Sequence, residues 1–378
     1  MTEKPDGNGG DPMTGVVAAR PEGTAAHPVR DAGTASYTET DFDVPEPAAA
    51  RIERSVPTNT RTAYGSRWRS FEAWCGESGR VALPATAQTV AVYLDHLATT
   101  RGCSAATLDA HLATVRTLHR AAGHPPPDPI YARKVIVDRA REQAADPTRA
   151  HGPRKALPLT VAQLRAIVDG CDLATGAGLR DRAVLLLGFA LLARRAELAA
   201  LNLTDVHHAP GQGLVVVIRS SKTDQGARGV VRYVHTAADP ALCPVRAVLE
   251  WSGYLTGQEI HAGPLFTRVD RWGHAGARCG GRYGADTRDG RLRPQAIGDL
   301  ISAAARRAGL DDAVPADGAR AYTGHSLRRG GATTMLATGA APLEVSRHGR
   351  WADGSRSFAG YIEEAHGFGD SNPTKGLL

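Results

Sequence analysis

Between His325 and Tyr361 the chain gathers the side chains that read most plainly as chemistry. Gly-His-Ser-Leu-Arg-Arg-Gly-Gly-Ala spans Gly324 to Ala332, Gly-Arg-Trp spans Gly349 to Trp351, and Tyr361 stands in Ala-Gly-Tyr-Ile. Met335 and Leu336 ahead of a Gly339 stop predict a helix, and on it His325 and Arg328, three apart, share one face. Gly330, Gly331 and Ala332 would let that helix approach a neighbour closely. Each feature also has a plainer reading. A His-x-x-Arg is often a solvated face or an ion-pair partner, and a tyrosine often packs with its hydroxyl satisfied. A catalytic reading of Tyr361 needs further cations nearby.

Those cations stand upstream. Residues 181 to 201 are apolar over most of their length and predict a buried core helix, interrupted by Arg194, Arg195 and Glu197. Arg194 and Glu197, three apart, could form a local ion pair at a helix end. A cation beside a buried helix needs compensation, and a phosphate is one way to supply it. Leu214 to Ile218 and Gly229 to Val234 predict the strands of a hairpin, and Lys222 lies at the mouth of the polar turn between them.

The elements that must position these groups fall into two parts. Residues 1–50 are rich in Gly, Pro, Thr, Ala and acid, without aliphatic periodicity, and predict a disordered acidic leader. From Pro57, apolar residues recur at helical spacing through Tyr64, Trp68, Phe71 and Trp74, then Val90, Tyr93, Leu94 and Leu97. After a cap at Ser104 come Leu108, Leu112, Val115 and Leu118, and a more basic helix follows from Ile130 to about Ala144. A helical domain is therefore expected at 55–146, a proline-containing linker at 147–158, a second domain at 159–365 and a tail at 366–378. Thr160-Val-Ala-Gln has the form of a capping box opening the second domain.

The net charge of +6 is unevenly spread. Residues 1–50 hold three Lys or Arg against nine Asp or Glu, whereas the rest holds 42 against 30, a balance of +12. A basic body favours a polyanion such as nucleic acid. Five scattered cysteines without a Cys-x-x-Cys pair argue against a disulfide framework or a zinc site and fit a reducing cytoplasm. No apolar run reaches membrane-spanning length, and no signal peptide is evident.

Taken together, these pieces resemble the tyrosine recombinase, or phage integrase, family over roughly residues 55–365. The resemblance rests on an arginine in Arg-x-x-Glu after an apolar helix (Arg194, Glu197), a lysine in a hairpin turn (Lys222) and a His-x-x-Arg (His325, Arg328). A tryptophan (Trp351) then precedes a tyrosine ten residues on (Tyr361). It implies a mostly α fold with a small β-hairpin or sheet, in which a helical core-binding domain and a catalytic domain clamp DNA. It also implies strand cutting and rejoining at specific sites, without metal or other cofactor, usually by a homotetramer on double-stranded DNA. The catalytic set it implies is Arg194, Lys222, His325, Arg328, Trp351 and Tyr361, with Glu197 orienting an arginine or histidine. Arg133, Lys134, Arg154 and Lys155 are candidates for phosphate contacts. A bacterial cytoplasmic, nucleoid-associated location follows from such a role, and accessory proteins are not readable. The competing functions are a nicking topoisomerase, a telomere resolvase, and a DNA binder without strand exchange.

Overall fold

The computed structural model describes residues 40, 43–146, 156–220, 229–279, 288–310, 322–367 and 374–375. Lys222, Arg154 and Lys155, and most of the acidic leader and C-terminal tail, lie outside the described residues. The chain divides into two compact units, residues 1–153 and 154–378.

The first unit contains α1 (Glu46–Ser55), α2 (Thr58–Glu77), α3 (Ala87–Thr100), α4 (Ala105–Ala121) and α5 (Ile130–Ala145). The predicted helices from Pro57 onward are present, and α1 begins inside the stretch read as leader. Thr86 caps α3 by accepting from Thr89 N at 3.1 Å, and Ser104 caps α4 by accepting from Thr107 N at 3.2 Å. The apolar positions at helical spacing converge on one core: Trp68, Phe71, Val90, Tyr93, Leu94, Leu97, Leu108, Leu112, Val115 and Leu118 are all buried. Arg133 and Lys134 lie on the exposed face of α5, beside a shallow groove they line with Val137, Asp138 and Arg141.

The second unit opens with α6 (Val161–Asp169), whose capping box closes as its sequence predicts. Thr160 Oγ1 accepts from Gln163 N at 3.2 Å, and Gln163 Oε1 accepts from Thr160 N at 3.0 Å. Then come α7 (Gly176–Ala190), α8 (Arg195–Ala200), strands β1 (Val206–Ala209), β2 (Gly213–Ile218) and β3 (Val230–His235), and α9 (Pro244–Gly257). After these follow α10 (Pro294–Arg307), α11 (Gly324–Ala337), α12 (Pro342–Gly349) and α13 (Arg356–His366). The sheet is antiparallel, in the order β1-β2-β3. Its hairpin matches the expected one, and β1 adds an edge strand that the sequence reading did not contain. Buried positions of β2 (Leu214, Val216, Ile218) face the main core with α7 and α9.

One expectation needs correcting. Residues 181–201 do not form a single helix: α7 ends at Ala190, Leu192 takes a left-handed φ of 50°, and α8 starts at Arg195. The apolar pattern runs through the break because Leu191, Leu192 and Ala193 are buried too. What holds the helix open is a set of guanidinium groups from distant residues that take its freed carbonyls.

Candidate active site

Four elements converge at that break. Arg194 occupies the N-cap position of α8, and Glu197, three residues on, turns back toward it. Glu197 Oε1 accepts from Arg194 Nη1 at 2.7 Å, and its Oε2 accepts from the Arg194 backbone N–H at 2.9 Å. The local ion pair at a helix end foreseen from sequence is therefore present. Its surroundings go further, because Glu197 is only 4% exposed and Oε2 also accepts from Arg350 Nη2 at 2.7 Å.

From α11 comes Arg328, 1% exposed. Its Nη1 donates to Leu192 O at 2.5 Å, and its guanidinium carbon lies 3.7 Å from the centre of the Trp351 ring. Its Nη2 is buried without a hydrogen-bond partner among the described residues. A buried donor of that kind is costly unless a ligand completes it. Burial, reinforced by Arg194 and Arg350, pulls the Arg328 pKa down to about 9, with Glu197 and Tyr361 opposing. Like charges are thus crowded here with too few carboxylates among them.

The small residues after Arg328 do what their types suggest. A Cβ on Gly330 would stand 2.0 Å from Leu159 O, and one on Gly331 would stand 2.5 Å from Phe189 O. Only glycine lets α11 lie this close to α7 and to the segment before α6. Arg329, next in sequence, points elsewhere: it pairs with Glu364 of α13 at 2.7 Å and donates to Ala156 O at 2.8 Å.

Tyr361 projects from α13 and is 6% exposed. Its hydroxyl lies 2.9 Å from His325 Nε2, and its ring meets Trp351 edge-to-face at a centroid distance of 5.4 Å. Burial pushes the Tyr361 hydroxyl pKa up, while Arg328 and Arg329 work against that rise. His325 keeps an exposed edge, yet the protein around it, together with Arg328, Arg194 and Arg329, pushes its pKa down to about 4. The imidazole is therefore neutral above that pH, and Nε2 can accept the phenolic proton. Trp351 packs between Arg328, Phe358 and Tyr361. That position requires Gly349, where a Cβ would meet the Trp351 ring at 1.7 Å.

Of the residues chosen from sequence, Arg194, Glu197, His325, Arg328, Trp351 and Tyr361 come together here. Arg133 and Lys134 belong to the first unit, and Lys222 lies outside the described residues. Sequence reasoning missed Arg350. It sits between Gly349 and Trp351, in a motif noticed for its tryptophan, and nothing local marks it as buried. Among the described residues no three His, Cys, Asp or Glu side chains gather as a cation site.

Residues 49–124 match the family profile described as the phage integrase N-terminal SAM-like domain. An integrase/recombinase xerD homolog of Selenomonas ruminantium is 29% identical over 328 residues, covering 86% of this chain and 87% of the relative. The recombinase cre of Escherichia phage P1 is 26% identical over 288 residues, covering 75% and 78%. Among solved structures, the Tn1549 transposon integrase in complex with circular intermediate DNA aligns with a TM-score of 0.50 at 11% identity. That alignment covers 83% of this chain and 92% of the other, a likeness of fold. Both relatives are of the tyrosine recombinase family, which this chain resembles over most of its length.

Proposed function

We propose that this protein is a site-specific DNA recombinase or integrase that cuts and rejoins strands through a 3′-phosphotyrosyl intermediate. The observation that carries the reading is the Tyr361 hydroxyl held 2.9 Å from His325 beside a guanidinium cluster with an unmet donor on Arg328. A scissile phosphate would meet that demand. Arg194 and Arg328 grip its non-bridging oxygens, and their charge counts most as negative charge grows on those oxygens during attack. The Trp351 indole N–H adds a donor. Tyr361 Oη attacks phosphorus, its proton passes to His325 Nε2, and the bond to the 5′ oxygen breaks.

Lys222 is assigned by resemblance as the donor that protonates the departing 5′ oxygen. In the second half, a 5′-hydroxyl from a partner strand attacks the phosphotyrosine and gives its proton to the Lys222 amine, while Tyr361 recovers its own from His325. The bond energy stays in the protein linkage, so the cycle consumes no ATP, and guanidinium groups carry the charge that a metal would otherwise balance. Double-stranded DNA target sites are the substrate, a homotetramer on two DNA partners is the working assembly, and the bacterial cytoplasm and nucleoid are its setting. Arg133, Lys134, Arg154 and Lys155 serve as backbone contacts that position the protein without reading bases.

The test is trapping on nicked suicide DNA taken from sequence flanking the gene, with chelator and without ATP, resolved on a denaturing gel. Wild type is expected to give a covalent band and Tyr361→Phe none while still binding. An adduct surviving in the variant would refute the assignment of Tyr361.

A further inference from the structure

Arg350 has no role in the scheme above, yet it is the best-tied guanidinium of the site. It is 6% exposed and stands at the C-terminal end of α12 in a left-handed conformation, φ 61°, that favours glycine. Its Nη1 donates to His348 O at 2.9 Å and Leu191 O at 3.2 Å. Nη2 donates to Leu191 O and Leu192 O, both at 3.2 Å, and to Glu197 Oε2 at 2.7 Å. One side chain thus ties the end of α12 to the α7 break and to the carboxylate that holds Arg194. An arginine in a backbone shape made for glycine, with both terminal nitrogens spent on internal bonds, points to a task that its backbone alone does not explain.

We infer that Arg350 is a positioning residue: it fixes Glu197 as a buried carboxylate with Oε1 turned to Arg194, and so sets the Arg194 guanidinium for the phosphate. Glu197 has two oxygens and three nearby claims on them. With Arg350 occupying Oε2, Oε1 is left to the Arg194 side chain. Arg350 also keeps the carboxylate ionised. Burial works against the Glu197 charge, but Arg350 first and Arg194 after it more than offset that, leaving its pKa below the ordinary value. The charged groups facing Glu197 are Arg194 beside it, Arg350 from α12, Arg328 from α11 and Arg232 from β3. Arg232 stands behind Arg350, donating to Arg347 O and, at 3.0 Å, to His348 O, so it steadies the same helix end.

The inference rests on the site being a strand-cleaving one, and wild-type adduct formation is the control for that reading. Arg350→Gly suits the backbone and deletes the guanidinium; Arg350→Lys keeps the charge and loses the fork. Single-turnover cleavage of the suicide DNA and thermal melting without DNA are followed from pH 5 to pH 8. In Arg350→Gly the Glu197 pKa rises, which sets two opposite trends. Cleavage is expected to fall about tenfold below wild type near pH 8, and further as pH drops and Glu197 protonates and releases Arg194. The melting-temperature gap to wild type is expected to narrow over the same range, because protonating Glu197 costs the variant less than it costs wild type, whose carboxylate Arg350 holds ionised.

Arg350→Lys should show a smaller, pH-independent deficit. Adding Glu197→Gln to Arg350→Gly should erase both slopes. A merely structural arginine would instead give rate and stability deficits that move together with pH. That result, or wild-type cleavage by Arg350→Gly, would overturn the inference. If Arg350→Gly does not fold, Arg350→Lys decides: cleavage at the wild-type rate would also overturn it. Absence of an adduct from wild type would sink the strand-cleavage reading instead, leaving the melting trends to judge Arg350 alone.

Discussion

In the first unit, Tyr93 Oη meets His111 Nδ1 at 3.1 Å, and His119, fully buried, bridges two backbone groups. Its Nε2 accepts from Ala85 N at 2.8 Å, and its Nδ1 donates to Val115 O at 2.8 Å. That geometry uses one donor and one acceptor, so only the neutral ring satisfies it. Around Glu197 in the second unit, the buried polar groups are ions, and Arg194, Arg328 and Arg350 share a single carboxylate. Both regions bury polar atoms among apolar ones, but at His119 in the first the donor and the acceptor are both matched by backbone groups. The second has cationic capacity left over, which fits a place that receives an anion and a framework that does not.

That contrast can be broken in several ways. The largest effect should come from Glu197→Ala, which leaves the guanidinium groups without their carboxylate. A loss of about 3–5 kcal/mol is expected in urea denaturation followed by a probe in the second unit. Loss below about 1 kcal/mol would mean that the cations are already relieved by water.

Next is acid. Burial, aided by Arg67 and Arg101, pushes the His111 pKa down to about 4, and burial lowers that of His119 too. Because their folded values lie below the ordinary one, the stability these rings contribute is whole above about pH 6.5 and is lost as pH falls toward 4. For His111 the loss is on the order of 3 kcal/mol by pH 4. Hydrogen exchange on the full chain should show protection of the first-unit amides around His111 and His119 falling over that range. Unchanged protection of those amides down to pH 4 would contradict the claim.

A smaller effect is expected of His119→Leu, which strands the Ala85 N–H at a cost of about 1–3 kcal/mol. Unit-resolved melting should place that loss in the first unit and leave strand cleavage per folded molecule unchanged. Smallest is added sulfate: at ten times its dissociation constant an anion in the Arg328 cluster stabilises the second unit by about 1.4 kcal/mol. Arg328→Met should abolish that increment, and a sulfate effect of the same size in Arg328→Met would place the anion elsewhere.

What could be read in advance were features whose cause is local. Ser104 and Thr160–Gln163 announce helix starts by bonds within three residues, and the four-helix apolar spacing gives the first core directly. His325 and Arg328 were legible because helix spacing alone sets them near one another. The break after Ala190 was not, since no proline follows it directly and Gly188 sits within the apolar run before it. It is held by Arg328 and Arg350, whose bonds to Leu192 O span 136 and 158 positions. Arg350 escaped for the same reason, as its burial is decided by residues of α7 and α8. Strand β1, with His207 and His208 exposed side by side, lacks the alternation that would have revealed it.

The tyrosine's own helix belongs to a small apolar cluster of its own, formed by Leu192, Ala332, Leu336, Val345, Phe358 and Tyr361. Outside that cluster, α13 is fastened by the Arg329–Glu364 pair, in which Glu364 remains a quarter exposed. A small apolar cluster, the Tyr361–His325 contact and one partly solvated ion pair make a segment that can open locally more readily than the main core of α7 and α9. Tyr361 therefore rides on a small satellite of its unit, whereas Arg194 and Arg328 stand on elements whose neighbouring Leu198 and Leu327 belong to the main core.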